Sequence, residues 1–442
     1  MTSLEKVERL VVGAGISGLA FAAFSKSHGA DLAKGTVVLE ADKEIGGYCK
    51  TVKKEGFVWD YSGHFFHFKH PDIEAWLRER MPGQRIRTVE KKSNIAYKGS
   101  RVDFPFQKNI HQLPQEEFID CLHDLFFARA PEELLKGRKP VGAGAEVARG
   151  GESNFKEMLY SRFGRSIAEK FLIPYNEKLY ACDLALLDKN AMGRFFPHAD
   201  LVDIVANMKA ADNASYNASF TYPEGGAFEY VKAIASEVPT TSLALEEALV
   251  SIDLDRKIAK TSRREIQYEK LVSSMPFNRL LEATKTPHDP AIFTWNRVLV
   301  FNLGFNKKGP KDIHWVYFPA RERSFYRIGF YDNIFETDRM SLYVEVGFPR
   351  TGPIDVAKER EKVLAGLREE GIITDHELVA EHSVVMDPAY VHITEDSVKK
   401  TDELKAELEK KGVYSIGRYG GWTYCSIEDN IVEARALAKK LA

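Results

Sequence analysis

The stretch that decides the fold is Val7-Glu8-Arg9-Leu10-Val11-Val12-Gly13-Ala14-Gly15-Ile16-Ser17-Gly18-Leu19-Ala20-Phe21. Val7 to Val12 is a short, largely apolar run, which predicts a buried strand. It stops at Gly13-Ala14-Gly15-Ile16-Ser17-Gly18, and Leu19 to Ser27, rich in Ala and Phe, predicts a helix. After Gly29 and a polar connection, Thr36-Val37-Val38-Leu39-Glu40 predicts a second, parallel strand. Strand, glycine turn, helix and strand in this order form a dinucleotide-binding unit. Gly13 permits the tight turn, Gly15 lets the backbone approach a pyrophosphate, and Gly18 allows close packing of helix on strand. The opening helical turn offers free N–H groups and a positive dipole end to the diphosphate. Glu40, ending the second strand, is placed to accept hydrogen bonds from ribose hydroxyls.

NAD and FAD share this first unit, so the next residues decide between them. Glu44-Ile45-Gly46-Gly47-Tyr48 follows the acid, and a Gly-x-x-x-Asp-x-x-Gly segment comes soon after in GFVWDYSGHFFHF. This resembles the two-dinucleotide-binding-domain flavoproteins, in which the double glycine passes close to the FAD diphosphate. The resemblance implies FAD, with Gly46, Gly47 and Gly63 added to the cofactor set. The late YSIGRYGGW run before a terminal helix resembles the group's closing flavin contact, which brings in Arg418. Val250 lies where the group holds adenine with a backbone amide.

Outward from these motifs, the rest of the 442 residues constrains the class. The length predicts two or three packed domains. A 44% hydrophobic, 29% charged composition is that of an ordinary globular protein. The formal charge of −2 argues against a broad nucleic-acid footprint, so any anion site must be built locally from a few arginines. The four cysteines are scattered with no CxxC pair, which suggests a reducing compartment. The N-terminus lacks a signal-peptide layout, and no run approaches the roughly 18 apolar residues of a membrane span. The expectation is a cytoplasmic protein with no stable membrane insertion. His64, His67 and His70 sit in an aromatic segment read as strand or loop, where their spacing sends neighbours to opposite faces, so no metal site is expected. Residues 112–196 carry helical periodicity, interrupted by a Gly/Ala-rich stretch at 137–153 that reads as a surface loop. Segments such as REIQYEKLVSSMP, FTWNRVLVFNLGF, HWVYFPA, SFYRIGFYD and SLYVEVGFP are aromatic and β-branched, as expected of antiparallel sheet.

Along its whole length the chain resembles the UDP-galactopyranose mutases, the eukaryotic type in particular. Ser62-Gly63-His64 looks like that family's Gly-Gly-His loop, whose histidine lies against the flavin. Phe104-Pro105-Phe106-Gln107-Lys108-Asn109 is similar to its Tyr-Pro-Phe-Gln-Asn-Asn uridine-binding segment. Ile173-Pro174-Tyr175-Asn176-Glu177-Lys178-Leu179-Tyr180 resembles its Arg-Pro-Tyr-Asn-Phe-Lys-Val-Trp stretch. Trp315-Val316-Tyr317-Phe318-Pro319 and Phe325-Tyr326-Arg327 match a Trp-x-Tyr-Phe-Pro and Phe-Tyr-Arg pair. Gly417-Arg418-Tyr419-Gly420-Gly421-Trp422-Thr423-Tyr424 resembles Gly-Arg-Phe-Gly-x-Trp-x-Tyr. Arg194 and Tyr390 fall at an arginine and a tyrosine position of the family. Three departures stand out, one of them Ile173 before Pro174 where the family has arginine. Gly46-Gly47-Tyr48-Cys49 looks more like the porphyrinogen-oxidase relatives. Cys425-Ser426-Ile427-Glu428-Asp429 replaces an Asn-Gln pair, which sets a carboxylate where an amide would approach phosphate.

The resemblance implies an α/β fold, with a Rossmann-like FAD-binding domain assembled from residues 1–103, 223–290 and 384–442. A helical domain over 104–222 and an antiparallel sheet domain over 291–383 complete it. It further implies reduced-flavin N5 attack on the anomeric carbon of a UDP-sugar, most simply UDP-galactose, and interconversion of its pyranose and furanose forms. Galactofuranose for cell-surface polysaccharide would be the end use. His64, Arg194, Arg327 and Arg418 would be catalytic, with Phe106, Gln107, Asn176, Tyr180, Tyr317, Tyr390 and Tyr424 binding substrate. NAD(P)H or another reductant would charge the flavin, and a homo-oligomer is among the expectations. Two alternatives stay open at this point: an oxidase or desaturase of the amine-oxidase and protoporphyrinogen-oxidase type, and a flavoprotein that binds a nucleotide sugar without turnover.

Overall fold

Strand β1 (Glu5–Val12) lies between two parallel neighbours, β2 (Thr36–Leu39) and the strand Glu265–Ser273. In register, Val37, Leu10, Leu271 and Val413 form one row across four parallel strands, and all four side chains are buried. Leu243–Ala244 pairs beside β2 and completes the parallel set. Apolar runs of this kind suit parallel strands, which are covered on both faces. The segment Glu265–Ser273 departs from the antiparallel expectation for this reason. It runs parallel to β1 from Ile266 to Ser273, its last residues are buried, and its first residues also pair antiparallel with Ile258–Thr261 on the other edge. The structure, a computed structural model, describes residues 4–129, 136, 152–211 and 218–442.

Helix α1 (Ile16–Ser27) is buried from Ile16 through Ser25. A helix apolar on every side belongs in a core rather than on a surface. It packs between the terminal helix Ile427–Lys440 and the helix Phe228–Ala235. Leu19, Phe21 and Phe24, each at or below 8% exposure, stabilise this sandwich by about 1.5–3 kcal/mol apiece. The terminal helix therefore holds the glycine turn from behind, although it lies at the other end of the chain.

The second sheet is ordered 378–386, 296–305, 341–349, 327–330, 315–317, 93–97 and 100–103. Its pairings are antiparallel except where Ser93–Tyr97 runs parallel to Trp315–Tyr317. Strands 93–97 and 100–103 thus join the antiparallel sheet, although the sequence boundary at 103 left them with the dinucleotide domain. The strand Leu378–Met386 carries that sheet past residue 383. One face of the sheet, with Val316, Ile328 and Val344, packs against Val363 and Leu367 of the helix Val356–Glu369. The opposite face looks toward the glycine turn and the helices Phe155–Ile167 and Ile173–Tyr180. Apart from Glu152 and Ser153, the 137–153 stretch lies outside the described residues. Among the described residues no helix is long and apolar enough to cross a membrane.

Candidate functional site

The dinucleotide end is made of backbone. Gly13 has φ +96°, and a Cβ there would meet Ser274 Oγ at 2.5 Å. A Cβ on Gly18 would collide with the Gly13 carbonyl oxygen, so helix and strand approach only because that position is bare. The double glycine packs directly on this turn: Gly46 N–H donates to Ala14 O at 2.8 Å, and Gly46 and Gly15 form a parallel bridge. Glu40 stands beside it, one carboxylate oxygen accepting Ala14 N–H at 2.9 Å and the other Asp42 N–H at 3.0 Å. Ser17 Oγ and Arg418 N–H both donate to Asn430 Oδ1, at 2.9 Å each. Asn430, which the motifs did not single out, thereby ties the late Gly417-Arg418 turn to the start of α1. Val250 lies in the strand Leu249–Asp253 between Leu249 and Ser251, which pair with Thr261 and Lys260, and has no partner of its own in that ladder. Its side chain is 55% exposed, which suits a backbone contact better than a side-chain one.

The substrate end is made of side chains, and sheet register assembles it. Tyr317 pairs with Arg327, and Arg327 with Glu345, so the three stand in one cross-strand row on one face. The next row is Trp315, Gly329 and Tyr343. Gly329 has no side chain because the Tyr343 ring lies across it. Trp315 Nε1 donates to Tyr343 OH, whose oxygen also lies where a Cβ on Gly63 would be, at 2.6 Å. The Ser62-Gly63-His64 loop therefore rests on this sheet face. Ser62 holds a left-handed backbone (φ +74°), and its hydroxyl donates to Glu345. His64 sits half-buried, its Nδ1 without a hydrogen-bond partner among the described residues. Burial, with help from the nearby Arg418 charge, pushes its imidazole down to about 4, so the ring is neutral.

Glu345 is fully buried and grips Arg327 bidentately, Nε to Oε2 at 2.5 Å and Nη2 to Oε1 at 2.9 Å. Burial works against the Arg327 charge and Glu345 more than offsets it, so the guanidinium stays protonated. Arg327 also lines a cavity of about 90 Å3, together with Phe104, Tyr175, Asn176, Tyr317, Tyr390 and Tyr424 and with Phe195 and Phe196. Asn176 Nδ2 donates to Leu172 O at 2.7 Å, and its buried Oδ1 has no partner among the described residues. Arg418 lies half-buried with its guanidinium over the rings of Tyr424 (4.5 Å) and Tyr390 (5.1 Å). No carboxylate among the described residues pairs with it.

The structure brings Asn176, Tyr317, Arg327, Tyr390 and Tyr424 to one cavity; Arg418 lies over the Tyr390 and Tyr424 rings, and His64 is near enough to feel the Arg418 and Arg327 charges. Other expected residues stand elsewhere. Phe106 is fully buried, stacked on Phe171 at 5.2 Å, and Phe104 takes the wall position, stacked on Tyr317 at 4.9 Å. Gln107 is buried too, its amide donating to Pro197 O. Tyr180 is buried behind Tyr390, rings 5.9 Å apart. Arg194 points away from the cavity and pairs with both oxygens of Asp429, at 2.6 and 2.7 Å. Glu428 is only 2% exposed and accepts Lys69 and His70 N–H groups at 2.8–3.0 Å, at the start of the helix Pro71–Glu79. Its carboxylate serves a helix N-terminus and does not face the cavity. Glu345 escaped sequence reading, yet its signal was present. In Leu342-Tyr343-Val344-Glu345-Val346 the polar positions alternate with apolar ones in a strand buried on both faces.

Fold and glycine cradle together define a dinucleotide-binding α/β protein, and residues 11–80 match the NAD(P)-binding Rossmann-like domain family. Within that class, the chain has the fold of the UDP-galactopyranose mutase-like flavoproteins. A crystal structure of reduced UDP-galactopyranose mutase superposes with a TM-score of 0.86 over 98% of this chain and 93% of that one, at 24% identity. A putative protoporphyrinogen oxidase from Exiguobacterium sp. 255-15 superposes with a TM-score of 0.73 over 99% of both chains, at 17% identity. In sequence, protoporphyrinogen oxidase 2 of Arabidopsis thaliana is 34% identical over 100 residues, taking in 22% of this chain and 18% of the plant protein.

Proposed function

We propose that the protein is an FAD-dependent nucleotide-sugar mutase that interconverts the pyranose and furanose forms of a UDP-sugar, UDP-galactose being the first candidate. The observation that carries this reading is the convergence of Arg327, Tyr317, Asn176, Tyr390 and Tyr424, from separate segments, on one cavity, with Arg418 stacked over two of its tyrosines. The residues present fit FAD. The glycine turn and the Gly46-Gly47 pair pack backbone to backbone at the start of α1, where a helix N-terminus favours a diphosphate, Glu40 stands beside that turn, and the buried His64 Nδ1 has no hydrogen-bond partner among the described residues.

Reduced FAD, when bound, supplies the nucleophile for the anomeric carbon, a cofactor task rather than a side-chain one. The chain's own part is to hold the leaving diphosphate and return it. Arg327 offers Nη1 in a rigid fork, its charge already balanced by Glu345, so it grips a phosphate oxygen by hydrogen bonding more than by net charge. Tyr317, Tyr390 and Tyr424 add neutral donors. Burial pushes the Tyr317 hydroxyl up to about 12, which keeps it protonated and donating at neutral pH. The Arg418 charge favours an anionic reduced cofactor, and neutral His64 leaves that charge undiluted.

The test is incubation of dithionite-reduced, FAD-loaded protein with UDP-galactofuranose, following UDP-galactopyranose by anion-exchange chromatography. Turnover that disappears with oxidised flavin supports the mutase. A second reading, an oxidase that passes a hydride from an apolar substrate to flavin, draws on one specific feature: the cavity walls are largely aromatic, and Glu345 neutralises Arg327, the arginine that lines it. Oxygen uptake without UDP binding would select it.

A further inference from the structure

We propose that Asp429 is a built-in stand-in for the substrate's anionic group. In this view it holds Arg194, and with it the outer wall of the cavity, until a diphosphate takes the arginine over. The inference rests on the nucleotide-sugar reading above. It starts from a mismatch of size: a cavity of about 90 Å3 has room for about three waters, whereas small-molecule sites run to roughly 300 Å3 and more. A nucleotide sugar enters only if a wall moves.

The wall formed by residues 192–197 is built to move. Met192 and Phe196 each line the cavity on one side and a second hollow of about 150 Å3 on the other, so the turn Gly193–Phe195 has empty space before and behind it. Gly193 holds a left-handed backbone (φ +48°) with nothing within 4 Å of where its Cβ would be. Phe195 touches the fixed part of the site edge-on at Tyr424, 5.0 Å between rings, and Arg194 lies over Phe195 at 4.5 Å. Gln107 holds the far end of the wall at Pro197 O, and the side-chain tether of the turn Gly193–Phe195 itself is the Arg194–Asp429 pair. Both side chains are about a third exposed (37% and 34%), so the pair is weak and breaks cheaply.

Asp429 also survives the loss. Its Oδ2 accepts Ser426 N–H at 2.7 Å and its own N–H donates to Ser426 Oγ, the capping box of the terminal helix. Releasing Arg194 therefore strands no carboxylate, and the guanidinium passes from a single negative charge to a diphosphate. The same departure, whose Glu428 serves a helix N-terminus, acquires a purpose at the neighbouring Asp429: it weakens binding unless the ligand carries enough negative charge to outbid a carboxylate.

The test is UDP affinity of the full-length protein by calorimetric titration, for wild type, Asp429→Asn, Arg194→Gln and the double variant. Asparagine keeps the cap acceptor and removes the competing charge, so Asp429→Asn tightens UDP by about three- to tenfold. Arg194→Gln weakens it, and adding Asp429→Asn to Arg194→Gln changes nothing further, because the carboxylate acts through the arginine. Asp429→Ser serves as a second variant if the asparagine does not fold. Wild-type binding with Asp429→Asn unchanged or weaker overturns the exchange and leaves the nucleotide reading standing. No UDP binding by any variant sinks the nucleotide reading and the exchange with it.

Discussion

The two halves of the candidate site are built on opposite plans. The cradle around Gly13, Gly15 and Gly46 uses bare backbone, and its tolerances come from atoms that are missing. The cavity around Arg327 uses charged and aromatic side chains, each held by a partner from another strand or helix. A backbone site fails when anything is added. A side-chain site fails when a partner is removed and a buried charge is left alone.

The largest effect should come from adding to the cradle. Gly18→Ala places a methyl on the Gly13 carbonyl and should abolish FAD retention, with affinity down at least about a hundredfold, read from flavin absorbance after desalting. Retention of FAD by this variant would break the contrast at its stronger end. On the side-chain half, Arg327→Ala strands buried Glu345 and should cost about 3–5 kcal/mol in urea unfolding, while Arg327→Lys, which keeps the charge, costs clearly less. Equal losses would mean the pair matters by packing and not by charge.

A smaller effect reads the electrostatics of the loop that joins the halves. His64 is held neutral down to about 4, whereas the unfolded chain takes a proton near 6.5. The unfolded state therefore binds more protons between those values, and this contribution to stability is present above about 6.5 and lost as pH falls toward 4. His64→Gln lacks the penalty, so its stability relative to wild type should improve by about 1–3 kcal/mol over that window, followed by thermal melting against pH. A gap that stays flat with pH would place His64 in solvent. The smallest effect is expected at Glu428. Glu428→Gln keeps an acceptor for the Lys69 and His70 N–H groups, costs about 1 kcal/mol, and leaves UDP affinity within about twofold. A large affinity change there would return Glu428 to the phosphate site.

Legibility follows the same division. Gly13, Gly15, Gly18 and Glu40 were readable because the constraint is local: a strand must end, a turn must be bare, and a helix must start within a few residues. Tyr317 and Arg327 were readable from motif likeness, and register then put them side by side. Phe106 and Gln107 were placed at the substrate by the same likeness. The short turns Phe106–Lys108 and Ile110–Gln112, however, bury Phe106 and present Phe104 instead. Alternation within a strand can mark Glu345 as odd, but nothing local says that Arg327 and the Ser62 hydroxyl meet it.

By itself, the sequence determined the dinucleotide unit, the division into a parallel α/β part and an antiparallel sheet, and the polar residues Asn176, Tyr317, Arg327, Tyr390 and Tyr424 that meet at the cavity. Only the tertiary structure decided which charges are already spent: Arg327 on Glu345, Arg194 on Asp429 across 235 positions, Glu428 on the backbone of residues 69 and 70. The physical reason is range. Backbone conformation answers to neighbours in the chain, whereas a buried charge answers to whatever the fold brings within about 3 Å, and that partner has no fixed distance in sequence.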